Sequence, residues 1–397
     1  MKIKINLLIT GIVFALVCCT EDKHEPLGSG SDTAPGMVRN VQVENIPGGA
    51  VFTYDMPDDV DIQYVKAVYV SNNVQKEARA SAYVNTIKIE GFGDTNERTV
   101  KLYAVNRKEK ISEPVERSIQ PLTPPIRLVQ ESLQPDVDFG GFVISFQNET
   151  KTDLAIIALA RDSATQNFVE YDAFYTSMEE GKFSVRGLPD KPNDFGMYIV
   201  DRWNNYSDTI FFTLTPWRED YLDKTLFLYK TVQGDVGFNY YNGTPQKAWN
   251  NNVSNGDYAH TNFPEEFPHR LTIDLGVDVK LSRFKFWQRP GADVLYQHGA
   301  PKVYRIYGRQ DDPGAGNIDN IFEGWTLLMD CYSVKPSGLP LGQNSGEDEE
   351  YQALGEEFSF PRVDLPIVRY IRFEMLESWS GMKCSTIGEV TFWGEIQ

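Results

Sequence analysis

Short runs of alternating apolar and polar residues, each closed by turn residues, are the feature that most constrains the fold of this chain. Residues 38–43 alternate, Gly48 and Gly49 turn the chain, and residues 50–54 alternate again before Pro57. Because a strand sends successive side chains to opposite faces, this period-two pattern predicts β-strands rather than helices. Similar runs recur along the 397 residues. We therefore predict an all-β protein.

Proline-rich seams divide this strand pattern into three segments. Pro121, Pro124 and Pro125 form the first seam, and we place the second near residue 217. Many short strands with frequent turn signals are typical of β-sandwiches. We predict three β-sandwich domains in tandem, at residues 35–122, 123–217 and 218–397, the second of them Ig-like.

The first residues carry an export signal. Lys2 and Lys4 precede an apolar stretch over residues 7–17, which is too short to span a membrane and has the layout of a signal peptide. The stretch ends in Cys18 and Cys19 and resembles a lipoprotein signal. That resemblance implies a signal peptide at 1–18, lipidation of Cys19 and a flexible tether at 19–34. The alternative is a plain secretory signal with incidental cysteines.

The residues after Cys19 bear on where the protein goes. Glu21 and Asp22 resemble the surface-export signal of Bacteroidota lipoproteins, which implies a lipid-anchored protein on the outer membrane, facing the cell exterior. A merely solvated tether is the alternative. In either case the membrane contact would be made through the lipid anchor only, because no later apolar run is long enough to span a bilayer.

Charge and motifs exclude several function classes. With 56 acidic and 38 basic residues the formal net charge is −18, so the surface repels phosphate backbones and nucleic-acid binding is not expected. Four histidines are too few for the usual histidine-based sites. The sequence contains no His-Glu-x-x-His, no Gly-x-Ser-x-Gly and no phosphate loop. We therefore expect no enzyme activity.

Several runs in the third segment carry a family resemblance. They are residues 271–276, 279–287, 302–308, 324–328, 368–373 and 387–394. In that order they resemble a discoidin domain (F5/8 type C), a galactose-binding-like jelly roll that includes carbohydrate-binding modules. The first segment, with Pro57, residues 101–106 and Pro114, resembles fibronectin type III. The whole chain resembles the lipoproteins of Bacteroidota polysaccharide-utilisation loci.

The resemblance implies a cell-surface glycan-binding protein. It would capture oligo- or polysaccharide through loops of the last domain and pass it to a neighbouring importer or hydrolase. The alternative is an adhesion or assembly protein whose discoidin-like domain grips a protein partner. The first function predicts exposed aromatic rings beside Arg and His. The second predicts a flatter apolar patch and no response to saccharides.

Two loops of the last domain hold the candidate sugar-binding residues. A sugar site needs an exposed ring for stacking and polar groups that fix orientation. Arg289, Tyr296 and His298 lie in one loop between predicted strands, and Trp379 lies between two serines in another. The alternatives are that Arg289 pairs with a carboxylate, that His298 caps a turn, and that Trp379 folds back over the sandwich.

The resemblance also implies a structural calcium ion, although none would be required for function. Asn250, Asn252 and Asp257 lie where the family has its calcium loop, and Glu389 matches its late carboxylate. Calcium prefers several oxygen ligands from carboxylates, amides and carbonyls. This loop has Asn where the family usually has Asp, so an ion would be held weakly.

Two further features concern local structure. Cys331 and Cys384 are the cysteines left after the signal, and they either form one disulfide or remain as two buried free thiols. Residues 342–357 carry many acidic side chains and no basic residue. We expect that run to be a solvated insertion.

Overall fold

A computed structural model describes residues 30–162, 164–291, 293–314 and 320–397. The predicted signal peptide at 1–18, the lipidation site Cys19 and most of the tether at 19–34 lie outside the described residues. The chain forms two compact units, the first ending at Leu128 and the second beginning at Val129. The domain boundaries inferred from the sequence stay predictions.

The first unit contains two antiparallel sheets. Their strands are β1 (Arg39–Ile46), β2 (Gly49–Asp55), β3 (Ile62–Ser71), β4 (Val74–Ser81), β5 (Thr86–Glu90), β6 (Arg98–Asn106) and β7 (Val115–Ile119). One sheet has the order β1–β2–β5 and the other β4–β3–β6–β7. Alternation sets the inner face: in β6, Val100, Leu102 and Ala104 are buried, while Lys101 between them is exposed.

The second unit begins with the same strand order. After helix α1 (Pro125–Ser132), its strands are β8 (Gln134–Asp138), β9 (Gly141–Gln147), β10 (Leu154–Arg161), β11 (Phe168–Thr176), β12 (Glu180–Val185), β13 (Asn193–Asp201) and β14 (Ile210–Leu214). They form the sheets β12–β9–β8 and β11–β10–β13–β14. This repeats the three-plus-four pairing of the first unit, so strand order does not separate a fibronectin-like segment from an Ig-like one.

The rest of the second unit is built around one long strand. The remaining elements are β15 (Asp220–Tyr221), β16 (Leu228–Lys230), β17 (Ala259–His260), β18 (His269–Trp287), β19 (Pro301–Arg309), β20 (Thr326–Tyr332), helix α2 (Gly346–Leu354), β21 (Glu356–Ser359), β22 (Val368–Ser378), β23 (Thr386–Ile387) and β24 (Glu389–Ile396). Strand β18 pairs with β22 before a register shift between Asp274 and Val279, and mainly with β24 after it. Strands that bend at such irregularities pass from one layer of a sandwich to the other.

Aromatic rings fill the core of this last sandwich. Phe284, Phe286, Tyr304, Phe373 and Phe392 are fully buried and contact one another. Burying a side chain of this size stabilises the fold by about 2 kcal/mol. Strand residues make up 49% of the described structure and helical residues 7%, which confirms the all-β prediction. Within the described ranges, no helix has the length and apolar character needed to cross a membrane.

Two local expectations are settled by the structure. The acidic run at 342–357 is largely exposed, as expected, but it is ordered: it forms α2 with a capping box in which Ser345 and Asp348 bond each other's backbone. The carboxylate of Asp348 is buried against the ammonium of Lys335 at 2.6 Å. Cys331 and Cys384 are both buried free thiols, so the disulfide alternative is wrong.

Candidate functional site

A strained turn presents tyrosine side chains beside β17. Residues Tyr240–Asn242 form a 3-10 helix in which Tyr241 has φ of 52°. A non-glycine residue in this left-handed region costs conformational energy and is often associated with function. The turn fits only because residue 243 is glycine: a Cβ there would lie 2.6 Å from the Cβ of His260. Tyr241 is 73% exposed.

His260 lies at the centre of this region. It ends β17, which pairs with β23 so that His260 faces Thr386. Its Nδ1 lies 2.6 Å from the carbonyl oxygen of Thr261. Because a carbonyl can only accept, Nδ1 carries the proton and Nε2 is left as an acceptor in the neutral ring. Burial, and then the charge of Arg289, lower the pKa of His260 and favour this neutral form.

Three aromatic rings surround the imidazole of His260, and a fourth ring packs against one of them. The ring centroid of Tyr240 lies 5.1 Å from it, that of Tyr258 6.0 Å and that of Tyr241 6.1 Å. Phe263 contacts Tyr240 at 5.8 Å and is 42% exposed. We call these five residues the aromatic cluster. Its exposed members, Tyr241 and Phe263, come from two different loops that both lie against Tyr240.

Arg289 joins the aromatic cluster. Its guanidinium lies over the ring of Tyr258, with Cζ 4.3 Å from the ring centroid. Its Nε donates to Asn255, at 2.9 Å to Oδ1 and 3.2 Å to the carbonyl oxygen. No carboxylate among the described residues forms an ion pair with Arg289, so the predicted alternative of a carboxylate partner is wrong. The hydrogen bonds and the stacking hold the guanidinium in one orientation.

This arrangement has the chemistry of a saccharide site. Exposed ring faces can stack on the C–H faces of a sugar, while a fixed guanidinium and an imidazole acceptor can bind hydroxyl groups. The cluster holds Tyr241 and Phe263 for stacking, with Arg289 and His260 for polar contacts. Among the described residues it is assembled entirely within the last sandwich.

Tyr296 does not belong to the site, which corrects the sequence prediction. Its side chain is fully buried. Its hydroxyl accepts a hydrogen bond from Nε2 of Gln352 at 3.2 Å, and the ammonium of Lys335 lies 5.0 Å from its ring. Burial raises its pKa to about 12. Tyr296 is inaccessible to a ligand because helix α2 covers it, and α2 was not predicted.

Trp379 and His298 lie near the cluster without joining it. Trp379 is half-buried, packs edge-on against Tyr296 at 5.2 Å, and is fixed by its backbone N–H, which donates to Ala300. Its indole Nε1 is buried and has no hydrogen-bond partner. His298 is exposed with φ of 48°. Its carbonyl accepts from Thr386, the residue paired with His260.

The predicted calcium ligands do not fit a calcium ion. Glu389 is buried and its Oε1 lies 2.6 Å from the ammonium of Lys224. Its Oε2 accepts from the backbone of Asn251 at 3.1 Å, so both carboxylate oxygens are engaged. A cation at this carboxylate would meet the ammonium. Within the described ranges, no group of three or more His, Cys, Asp or Glu residues could hold a metal.

The other predicted ligands are engaged with each other. The side-chain amides of Asn250 and Asn252 donate to Oδ2 of Asp257 at 2.6 and 2.8 Å. Oδ1 of the same carboxylate pairs with Lys247 at 3.3 Å. Lys224 and Lys247 therefore supply the positive charge beside the two carboxylates predicted to bind calcium.

Sequence reasoning found Arg289 but missed the aromatic cluster. Its rings come from separated loops at residues 240–241, 258–260 and 263, and no local pattern joins them. One signal was present: Tyr240 and Tyr241 directly precede Asn242 and Gly243, a turn sequence in which bulky rings are hard to bury.

Three family models match the chain, and each is described as a domain of unknown function. They are DUF4959 over residues 35–121, DUF5126 over residues 122–225 and DUF5000 over residues 248–394. A comparison with curated proteins finds no match.

Solved structures also resemble the chain. The C-terminal domain of a chitobiase from Bacteroides fragilis is 14% identical over 45% of this chain and 99% of that chain, with a TM-score of 0.32. The CBM32 of AlyQ in complex with 4,5-unsaturated mannuronic acid is 16% identical over 44% of this chain and 97% of that chain, with a TM-score of 0.27. SusE-like protein BT2857 is 33% identical over 69% of this chain and 100% of that chain, with a TM-score of 0.44. By this sequence identity over the full length of a known member, the chain belongs to the family of SusE-like proteins.

Proposed function

We propose that this protein is a carbohydrate-binding surface protein of a Sus-like polysaccharide-utilisation system. Two observations support the proposal: membership of the SusE-like family and the aromatic cluster with Arg289. The protein would capture oligo- or polysaccharide for a neighbouring importer or hydrolase and would not itself be an enzyme. Lipidation of Cys19 would hold it on the outer membrane, facing the cell exterior.

The observation that carries this proposal is the exposed ring of Tyr241. A tyrosine held at φ of 52° with 73% of its surface in water gains little from packing. Its position beside the imidazole of His260 is explained if the ring stacks on a sugar. We assign stacking to Tyr241 and Phe263 and polar contacts to Arg289 and His260.

Trp379 and His298 remain candidates for a second contact with the saccharide in the last sandwich. The half-buried ring of Trp379 could contact the C–H face of a sugar. Individual contacts of this kind are weak, and dense display on a membrane raises the avidity for a polymer.

One observation favours binding of a protein partner, although on the middle sandwich rather than on the discoidin-like domain that the alternative function names. The sheet β11–β10–β13–β14 has exposed apolar side chains, among them Tyr175 at 78% and Phe211 at 62%. Both belong to its outer face, because their strand partners Ala155 and Gly196 alternate with the inward-facing residues of β10 and β13. An exposed apolar patch of this kind suits a protein partner.

A glycan array probed with the chain from residue 30 onward tests the proposal. We expect binding to a defined class of glycan, strongly reduced in Tyr241→Ala and less affected in Trp379→Ala. Tyr332→Ala serves as the control, because that tyrosine is exposed on β20, outside the cluster. Binding that only Trp379→Ala abolishes would move the site to Trp379. Absence of binding to every glycan would favour the adhesion alternative.

A further inference from the structure

We propose that the saccharide bound at the aromatic cluster carries an anionic group, a carboxylate or a sulfate ester, and that Arg289 binds this group. The inference rests on the proposed function and specifies its ligand class. The features that carry it are the fixed orientation of the guanidinium, its missing counter-ion and the neutral state of the neighbouring histidine.

The guanidinium of Arg289 is held by one edge and left open at the other. Nε donates to Asn255, and the flat face covers the ring of Tyr258. No described residue bonds either Nη group of Arg289. Two parallel N–H donors on a planar cation match the two oxygens of a carboxylate or sulfate, and a preorganised fork loses little entropy on binding.

No carboxylate of the residues that the structure describes pairs with Arg289. Asp257, the acidic residue of the neighbouring loop, is already engaged by Lys247, Asn250 and Asn252. Most other arginines of this sandwich have carboxylate partners, as Arg283 has Glu219 at 3.0 Å and Arg372 has Asp235 at 2.8 Å. Arg309 forms no ion pair either, but backbone carbonyl oxygens accept from its Nε and Nη1. Arg289 differs from these three arginines because no described residue bonds its Nη groups.

The surroundings of Arg289 favour an anion over a second cation. Burial lowers the pKa of His260, and the hydrogen bond from Nδ1 to the carbonyl oxygen of Thr261 only partly opposes that shift, so the neutral form is favoured. Its Nε2 can therefore accept from a sugar hydroxyl without repelling Arg289. The exposed rings of Tyr241 and Phe263 would cover the apolar face of the same sugar residue. Together these groups fit an acidic or sulfated saccharide unit.

Matched pairs of saccharides test the inference. The full chain is titrated calorimetrically with oligogalacturonate and its carboxyl-reduced counterpart, and with sulfated galactan oligomers and their desulfated counterpart. We expect at least one anionic member to bind about tenfold more tightly than its neutral partner, because charge-assisted bidentate hydrogen bonds are roughly twice as strong as neutral ones. Whichever pair shows the difference identifies the anionic group.

Variants of Arg289 link that preference to the residue. Arg289→Gln should reduce the affinity for the anionic member to that of its neutral partner. Arg289→Lys, which keeps the charge without the fork, should restore only part of the preference. Arg305→Gln is the control, since Arg305 is an exposed arginine on β19 with its own partner, Asp330.

The outcomes separate this inference from the proposed function. Equal or tighter binding of the neutral partners, or an anionic preference that persists in Arg289→Gln, would overturn the inference and leave glycan binding in place. If the protein bound glycans of the array but had no measurable affinity for either anionic series, the inference would likewise be overturned and glycan binding would stand. If the wild-type protein bound no saccharide at all, both this inference and the proposed function would be overturned.

Discussion

The buried pair of Lys224 and Glu389 fixes the loop that the sequence assigned to calcium. The two charged groups lie 2.6 Å apart and almost no solvent reaches either of them. Asn251 donates its backbone N–H to the second carboxylate oxygen. An ammonium and a backbone donor therefore satisfy a carboxylate that a divalent ion would otherwise neutralise. The backbone of the loop at Asn251 is thus tied to β24 through the side chain of Glu389.

Removing this ammonium should destabilise the protein in a pH-dependent way. Lys224→Ala leaves Glu389 buried and unpaired, at a cost of about 3 kcal/mol in the free energy of unfolding. Burial raises the pKa of Glu389, and Lys224 opposes that rise. Without Lys224 the pKa rises further, so protonation at acidic pH should recover part of the loss. We expect the midpoint of thermal unfolding to fall more at pH 8 than at pH 5.

A second lysine variant and added calcium serve as controls for that experiment. Lys302→Ala removes a lysine whose ion pair with Glu377 is exposed, so it should change the midpoint of unfolding little. Millimolar calcium should leave the wild-type midpoint unchanged. A wild-type midpoint that rises with calcium and falls with a chelator would show that the ion, rather than Lys224, holds the loop.

Glu356 should make stability fall as the pH rises. Burial raises its pKa from the ordinary value of 4.5 to about 6, and its Oε2 is buried without a hydrogen-bond partner. A raised carboxyl pKa means that the folded state favours the protonated form. Its stabilising contribution is present below about pH 4.5 and is lost as the pH rises through about 6, a change of about 2 kcal/mol.

Glu356→Gln isolates this contribution. The variant cannot ionise at this position. Its unfolding midpoint should therefore fall less than that of the wild type between pH 4.5 and 7. The measurement is thermal unfolding of both proteins across that interval. Identical pH profiles for the two proteins would contradict the account.

Single residues show where sequence reasoning succeeds and fails. Arg289 was predicted because its charge and its place in a loop are visible in the sequence. Tyr296 was predicted to be exposed on the same grounds and is buried. The difference lies in tertiary packing, since the helix that covers Tyr296 comes from a segment more than fifty residues away, at Gln352.

Helix α2 owes its order to one buried carboxylate. Asp348 accepts hydrogen bonds from Lys335, from Ser337 and from the backbone of Ser345. Burial alone would raise the pKa of Asp348, but these hydrogen bonds together hold it well below its ordinary value. The carboxylate therefore stays ionised, caps the helix and ties it to the segment after β20.

Asp348→Ala should unfold this element locally. The change removes the capping box and leaves the ammonium of Lys335 buried without its partner, at a cost of about 3 kcal/mol or more. We expect faster backbone hydrogen exchange over residues 346–354. Glu349→Ala, an exposed acidic residue of the same helix, should leave exchange nearly unchanged. Equal effects of the two substitutions would mean that the buried pair does not order α2.

The strands were predictable at the element scale and the helices were not. Alternation of apolar and polar residues identified the strands because each buries one face. Helix α2 was hidden by its acidic composition, although Ser345 and Asp348 have capping-box spacing and Gly355 follows the last turn. Helix α1 was read as part of a proline seam, although Pro125 fits the first turn of a helix.

At the scale of the molecule, buried charges join the two sandwiches of the second unit. Arg186, which follows β12, lies 3.4 Å from both Asp138 and Glu219 and 3.6 Å from Glu357 on β21. Arg283 on β18 binds the same two glutamates at 3.0 and 3.1 Å. Because β12 and β18 belong to different sandwiches, this network couples them.

Breaking this network should loosen the second unit. Arg186→Ala removes the ion pairs that one sandwich contributes to the network. If the free energy of opening between the two sandwiches falls by about 1.4 kcal/mol, proteolysis near residues 215–222 should become about tenfold faster. Arg202→Ala is the comparison, since Arg202 has an exposed partner in Asp153. Proteolysis of Arg186→Ala at the wild-type rate would show that other contacts couple the sandwiches.

Sequence periodicity revealed the all-β fold of the whole molecule but did not locate its candidate site. Each strand carries its own signal, whereas the aromatic cluster depends on how loops near residues 240, 260 and 289 come together. That proximity follows from the pairing of β17 with β23 and from the glycine at position 243. Neither the pairing nor the close approach is visible in a single local pattern.

The measurement that tests the central claim most directly is the calorimetric affinity of the strongest array glycan for wild type, Tyr241→Ala and Tyr332→Ala. Loss of one stacking ring should weaken binding by about tenfold or more. The account predicts this loss for Tyr241→Ala and an unchanged affinity for Tyr332→Ala. Wild-type affinity in Tyr241→Ala would contradict the claim that the aromatic cluster binds the glycan.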